Sequence, residues 1–140
     1  LRQEKGHIVV SQDTDAMTHP SEVGLDWAMN RTKPDFVGRR SVDILAKAPL
    51  ARQLVGFSLA ITAPKPLEGH LVIRDGNIVG NVTSCEVSPT LGRIIGLAYA
   101  HPDDAMPGGS IWVRTEGGVA VQARVEALPF YDPDTERQLL

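Results

Sequence analysis

The chain has 140 residues, 42% hydrophobic and 22% charged, so it is long enough to bury the core of one domain or a small pair of domains. Its formal charge is −3, and residues 101–140 hold seven acids against three bases, so the charge pattern argues against nucleic-acid binding. The single cysteine predicts no internal disulfide, and four histidines without ligand spacing predict no metal site. The chain has no long apolar run, which predicts no membrane segment. A cytoplasmic setting is the default expectation.

Residues 1–50 predict a short irregular segment with one helix. They contain seven acids and seven bases, and three prolines interrupt them. Residues 8–10 predict a short strand and residues 20–22 a single helical turn, whereas apolar alternation over residues 25–29 predicts a half-buried strand with Trp27 in the core. From Arg39 to Lys47 apolar residues recur at helical spacing until Ala48-Pro49, which predicts a helix near 39–47.

After Pro49 the apolar residues alternate with period two, as in strands that have an inner and an outer face. Asp75-Gly76 predicts a type I′ hairpin turn, and Gly80 in the return strand predicts a close approach by a neighbour. In the first strand, Val55, Phe57, Leu59 and Ile61 alternate with Leu54, Gly56, Ser58 and Ala60. Turn residues separate six predicted strands, near residues 52–61, 69–74, 77–85, 92–100, 109–116 and 119–128.

The predicted fold class is therefore mainly β, or α+β overall. A small six-stranded antiparallel barrel is expected over residues 51–131. Residues 1–50 precede it as an irregular α/β segment, and residues 132–140 follow it as a tail.

Four stretches resemble one known family. Residues 75–100, DGNIVGNVTSCEVSPTLGRIIGLAYA, resemble the pattern dG..iG.vTSg..SPtl...ialAyv of folate-dependent aminomethyltransferases, the family of the glycine-cleavage T-protein. Residues 1–6, 20–27 and 35–40 resemble its LRxExG, P.E.gL.W and DFiG+.a motifs, in the same order. Within the family, the first 41 residues and the ending PFYDPDTER look most like the carboxy-terminal part of the alpha subunit of heterotetrameric sarcosine oxidase.

The resemblance implies fold and binding residues. The family's last domain is a six-stranded, jelly-roll-like barrel, and residues 1–50 would be the remnant of its folate-binding domain. Glu4 lies between Arg2 and Lys5 and by position alone is a surface ion pair. The matching glutamate in the family hydrogen-bonds the pterin ring of tetrahydrofolate, and a carboxylate suits an edge of two parallel N–H donors.

Three further residues are implied as folate ligands. A basic residue shortly after the matching tryptophan binds the glutamate tail of folate in the family, and Arg31 and Lys33 both lie there. We leave the choice between them open, with a solvated loop cation as the alternative for each. Tyr131 lies near the family's C-terminal ligand tyrosine. No catalytic residue is expected in this chain, because the family's essential aspartate lies ahead of the matching segment.

The implied activity is transfer of a one-carbon unit from a small N-methyl or aminomethyl amine to tetrahydrofolate. The sarcosine oxidase interpretation places flavin and NAD elsewhere in a complex of several subunits. Alternatives are a glycine-cleavage aminomethyltransferase, or a non-catalytic folate-fold scaffold or tRNA-modification relative. Because the chain begins without Met inside a motif, we expect a fragment that is inactive alone. Ile8, Val9 and Val10 are expected to lack partners, and the amides of residues 1–20 are expected to exchange near the unfolded rate.

Overall fold

The computed structural model describes residues 1–138, and its elements follow the predicted order. The amino-terminal part contains two 3₁₀ turns, Pro20–Val23 and Asp26–Ala28, and one α-helix, α1 (Arg39–Leu45). The strands are β1 (Gln53–Ala60), β2 (Leu71–Arg74), β3 (Asn77–Ser88), β4 (Arg93–Ala100), β5 (Ser110–Arg114) and β6 (Ala120–Glu126). Three more 3₁₀ turns are Pro102–Asp104, Glu116–Gly118 and Glu136–Gln138. All six predicted strands and the helix near 39–47 are confirmed, with small differences at their ends.

The six strands close into an antiparallel barrel in the order β1-β4-β3-β2-β5-β6, which confirms the predicted mainly-β fold. Strand β4 pairs along its length with β1 on one side and with β3 on the other. The closing pair, β1 with β6, is short and joins only residues 56–58 to residues 124–126.

Alternating apolar side chains fill the barrel as the period-two pattern predicts. Phe57, Val82, Val113 and Val125 are completely or almost completely buried there. The predicted strand 52–61 extends one residue too far, because β1 ends at Ala60 and Ile61 is half exposed.

The hairpin between β2 and β3 has the predicted turn. Asp75 and Gly76 both have positive φ, 50° and 79°, as a type I′ turn requires. Further along β3, a Cβ atom added at Gly80 would lie 2.0 Å from the backbone oxygen of Tyr99 on β4. The close approach predicted at Gly80 is therefore confirmed.

The outer face of β1 and β4 is also covered. Leu54, Leu97 and Tyr99 form a second apolar cluster there, against which Ile8, Val23 and Phe130 pack. The amino-terminal segment also places three polar side chains in buried positions: Glu4, Asp13 and His19. The expectation that Ile8 lacks a partner is therefore wrong, whereas Val10 is 77% exposed as expected.

Two predictions for the amino-terminal segment are wrong. Residues 25–29 form a 3₁₀ turn rather than a strand, and Trp27 is 81% exposed rather than in the core. Local bonds explain the turn, because the Asp26 carboxylate accepts hydrogen bonds from the side chains of Ser21 and Arg31 at 2.8 and 3.0 Å. Residues 8–10 form no regular strand and contribute a single bridge between Val10 and Thr14. The turn predicted at residues 20–22 is confirmed.

Within residues 1–138, no helix has the length and apolar content needed to cross a bilayer.

Candidate functional site

Glu4 lies where the amino-terminal loop meets the turn between β3 and β4. Its side chain is 6% exposed, and the Ser88 hydroxyl donates a hydrogen bond to Oε1. The backbone N–H of Tyr131 donates to the Glu4 carbonyl oxygen at 3.0 Å. The structure thus brings together two of the four predicted ligand residues, Glu4 and Tyr131, although they lie at opposite ends of the chain.

The basic neighbours of Glu4 in sequence bind other groups. Arg2 donates to the Asp13 carboxylate and to the His7 carbonyl oxygen, both at 2.8 Å. Lys5 Nζ donates to the carbonyl oxygen of Asp132 at 2.6 Å and lies 3.4 Å from its carboxylate. The interpretation of Glu4 as a surface ion pair with Arg2 or Lys5 is therefore wrong.

Hydrogen bonding keeps the Glu4 carboxyl ionised. The Ser88 hydroxyl contributes most to lowering its pKa, and the Thr90 hydroxyl acts in the same direction, whereas burial opposes them. Because the pKa is lower in the folded chain than in the unfolded one, Glu4 stabilises the fold above its unfolded pKa. This contribution is lost as the pH falls through the folded value.

A pocket of about 440 Å³ opens beside Glu4. Its volume is within the range of small-molecule sites in proteins. It combines a buried carboxylate with a hydroxyl, an aromatic ring and several charged groups, and the guanidinium carbon of Arg137 lies 5.7 Å from the centroid of the Tyr131 ring. The lining residues are Leu1, Arg2, Glu4, Lys5, His7, Thr90, Tyr131, Asp132 and Arg137.

The other two predicted ligands, Arg31 and Lys33, do not line this pocket. Arg31 lies on an exposed loop and forms an ion pair with Asp26 at 3.0 Å. Lys33 is also exposed, and its carbonyl oxygen accepts a hydrogen bond from the Arg39 side chain. The described residues therefore form a site with Glu4 and Tyr131 but without either candidate for the tail cation.

Sequence reasoning missed Ser88, Thr90 and Arg137. Ser88 and Thr90 lie in the stretch SPT, where a proline flanked by hydroxyl residues indicated a turn but not its partner. Arg137 lies in the tail, where the resemblance is loose, and only its place in PFYDPDTER connected it with Tyr131.

Asp13 fastens the amino-terminal loop to the barrel. Its side chain is 1% exposed and accepts from Arg2 at 2.8 Å, from Thr83 at 2.5 Å and from Ser84 at 3.1 Å. The Tyr99 hydroxyl donates to the Asp13 carbonyl oxygen at 2.8 Å. The Arg2 side chain is 32% exposed, so this ion pair is partly buried, and Arg2 lies two residues before Glu4 in the chain.

Cys85 lacks the lowered pKa that is typical of a reactive cysteine. Burial raises the pKa of its thiol to about 12, so the sulfur is protonated at neutral pH. Its side chain packs against the barrel core.

Comparison with known proteins gives one family for the barrel. Residues 52–132 match the glycine cleavage T-protein C-terminal barrel domain. The structure also resembles the crystal structure of glycine cleavage system aminomethyltransferase T from Bartonella henselae, with a TM-score of 0.81 and 24% sequence identity. That match covers 93% of this chain and 37% of the Bartonella chain, and it supports the fold.

Curated relatives extend the similarity beyond the barrel. The aminomethyltransferase of Halothermothrix orenii is 38% identical over 130 residues, which are 93% of this chain and 36% of the relative. The aminomethyltransferase of Thermotoga maritima is 36% identical over 138 residues, covering 99% of this chain and 37% of the relative. The chain thus spans about a third of the length of these relatives.

Proposed function

Since this chain belongs to the glycine cleavage T-protein family, we propose that its Glu4 pocket forms part of the tetrahydrofolate site of an aminomethyltransferase. The observation that carries the proposal is the Glu4 carboxylate, which is buried, held ionised and placed at a pocket of ligand size. A buried charge of this kind is costly unless partners satisfy it. The Ser88 bond satisfies one oxygen and leaves the carboxylate capacity for further donors.

The chemistry of the pocket suits the pterin ring. An amino-pyrimidinone edge presents N–H donors, and a carboxylate accepts two of them in a geometrically selective way. Tyr131 supplies an aromatic face near Glu4, and Arg137 lies over its ring. A flat heterocycle with a donor edge would therefore meet both an acceptor and an aromatic surface.

The curated relatives favour a glycine-cleavage activity. Those reported above are named aminomethyltransferases, which supports this alternative over the sarcosine oxidase interpretation. The activity proposed for the protein is transfer of a one-carbon unit from an aminomethyl group to tetrahydrofolate. Arg31 or Lys33 stays our proposal for binding the glutamate tail, at a distance from the pterin pocket.

A sarcosine-oxidase-type protein is the second candidate. The observation that favours it is Arg137, which belongs to the PFYDPDTER ending and lines the pocket beside Tyr131. In that case flavin chemistry in another part of a multisubunit protein would supply the one-carbon unit, and the Glu4 pocket would still bind folate.

We further propose that part of residues 1–50 docks on the folate domain that precedes this segment in relatives. The large apolar side chains exposed there include Trp27, Val37, Ile44 and Leu45. Helix α1 buries none of its residues against the barrel. Exposed apolar groups of this kind are typical of a surface that another part of the polypeptide covers.

Glu4→Gln is expected to weaken folate binding by about 1.5–3 kcal/mol, the scale of a hydrogen bond to a charged group. The substitution keeps the shape of the side chain and removes its charge. Binding is measured by calorimetric titration of 5-formyltetrahydrofolate into the longest polypeptide that contains this chain. Glu86→Gln is the control, because Glu86 is an exposed glutamate whose partner is Lys65 at 3.0 Å. Equal affinity for Glu4→Gln and the unchanged protein would contradict the proposed site.

The 140-residue chain alone is expected to form no methylenetetrahydrofolate, whether from an aminomethylated carrier or from sarcosine. It covers about a third of its relatives, and the resemblance places the essential aspartate of the family outside it. The assay couples methylenetetrahydrofolate to a dehydrogenase and follows NADPH absorbance. Turnover above the protein-free rate would show that the catalytic groups lie within these residues.

A further inference from the structure

Three groups form a short hydrogen-bonded series at the turn between β3 and β4. The backbone N–H of Leu91 donates to Ser88 Oγ at 3.1 Å, and the Ser88 hydroxyl donates to Glu4 Oε1. A hydroxyl has one proton to donate and lone pairs to accept. Because an ionised carboxylate only accepts hydrogen bonds, the Ser88 hydroxyl is the donor to Glu4, and its oxygen accepts from the Leu91 N–H.

The turn itself is well defined. Ser88 is 2% exposed, and its carbonyl oxygen accepts from the N–H of Gly92 at 2.9 Å. Pro89 restricts the backbone between them. The hydroxyl therefore has a fixed place, whereas the amino-terminal loop that carries Glu4 has no regular secondary structure of its own.

We propose that Ser88 is a positioning residue for the pocket: its hydroxyl holds Glu4 Oε1 against the β3–β4 turn and so orients the carboxylate towards the ligand. Ser88 would then act on a ligand through Glu4 without contacting the ligand itself. This inference rests on the proposed function for the identity of the ligand. The arrangement of Ser88 and Glu4 is tested separately from it.

Other charges near Glu4 do not replace Ser88. The α-amino group of Leu1 lies 3.7 Å from Glu4 Oε2, and Ser88 lowers the Glu4 pKa more than this charge does. Arg2 and Lys5 pair with Asp13 and Asp132. The charged and titratable groups that line the pocket with Glu4 are Arg2, Lys5, His7, Tyr131, Asp132 and Arg137.

The first test is a titration of the Glu4 carboxyl by carbon-13 NMR in the 140-residue chain without ligand. The Glu4 pKa is expected below that of an ordinary glutamate in the unchanged chain. The Glu4 pKa should rise in Ser88→Ala, because the hydrogen bond that lowers it is lost while burial still raises it. It should be lower again in Ser88→Thr, which restores a hydroxyl. Ser58→Ala is the matched control, because Ser58 is also buried and donates to Glu126 at 2.6 Å.

The outcomes decide the inference even if a variant does not fold. A Glu4 pKa at or above the ordinary value in the unchanged chain overturns it. So does an unchanged Glu4 pKa in folded Ser88→Ala, or a rise of the same size in Ser58→Ala.

The second test is binding of 5-formyltetrahydrofolate to the longest polypeptide that contains the chain. Ser88→Ala is expected to weaken binding about tenfold at neutral pH. In Ser88→Ala the Glu4 carboxyl is protonated at a higher pH than in the unchanged protein. On acidification, the folate affinity of Ser88→Ala should therefore begin to fall at a higher pH than that of the unchanged protein. In Glu4→Gln the Ser88 substitution should add no further loss, and an additive loss would contradict the positioning role. Absence of folate binding in every protein, with the expected NMR result, would overturn only the proposed function.

Discussion

Asp13→Ala is expected to destabilise the packing of the amino-terminal loop on the barrel by about 2–5 kcal/mol, because each buried donor that loses its acceptor costs about 1–3 kcal/mol. The substitution removes the acceptor for Arg2, Thr83 and Ser84 at once. It also removes the acceptor for the backbone N–H of Val9, which bonds to the Asp13 carboxylate at 2.8 Å. Donors left without partners in a buried place add to the cost.

Native-state hydrogen exchange measures this effect by region. Amides of residues 1–20 should exchange much faster in Asp13→Ala, whereas those of residues 53–60 in β1 should change less. Asp15→Ala is the control in the same loop, because the Asp15 carboxylate is exposed and accepts hydrogen bonds from the nearby Met17 and Thr18. Equal exchange in both variants would show that Asp13 does not fasten the loop.

Gly80→Ala is expected to destabilise the barrel by more than about 3 kcal/mol, beyond the usual cost of overpacking. The new methyl group would lie 2.0 Å from the oxygen and 2.5 Å from the carbon of the Tyr99 carbonyl group. Because these are backbone atoms of a paired strand, β3 and β4 would have to separate. The free energy of unfolding is measured by urea denaturation followed by circular dichroism.

Gly76→Ala separates crowding from backbone strain in that experiment. Gly76 has a positive φ of 79°, but within residues 1–138 no heavy atom beyond its two chain neighbours lies within 4 Å of an added Cβ. The free energy of unfolding of Gly76→Ala should therefore fall by about 1–2 kcal/mol, the cost of a left-handed conformation for a residue with a Cβ. If Gly80→Ala lowered the free energy of unfolding no more than Gly76→Ala does, the close packing of β3 on Tyr99 would be contradicted.

The barrel could be predicted from the sequence because its signals are local. In β6, Val121, Ala123 and Val125 alternate with polar residues, and the structure turns the same three towards the core. Asp75-Gly76 likewise determines a hairpin turn within a few residues of chain. In both cases the residues that produce the pattern are adjacent to the element that they form.

The amino-terminal segment could not be predicted in the same way, because its structure depends on distant partners. Asp13 reads as a turn residue in sequence, yet its carboxylate is buried against Thr83 and Ser84, which are about seventy positions away. Trp27 is apolar and is therefore predicted in the core, but the sequence around it does not indicate whether another surface covers it.

The candidate site likewise contains some residues that the sequence identified and others that it could not. Glu4 and Tyr131 came from motif resemblance, and the structure brings them together. Ser88 could not be connected with Glu4, because 84 positions separate the two residues that form the bond. Arg31 and Lys33 stay a prediction, since the described residues bring neither of them to the Glu4 pocket.

The closed strand order limits how another protein can recognise this barrel. Every strand has neighbours on both sides, so the barrel lacks the long row of unpaired N–H and C=O groups that a sheet edge offers. Even the short seam between β1 and β6 is partly covered, because Leu128 and Phe130 lie against Gly56. Addition of a strand from a partner, and aggregation through sheet edges, are therefore disfavoured. A partner has to bind this part of the protein through side chains and loops.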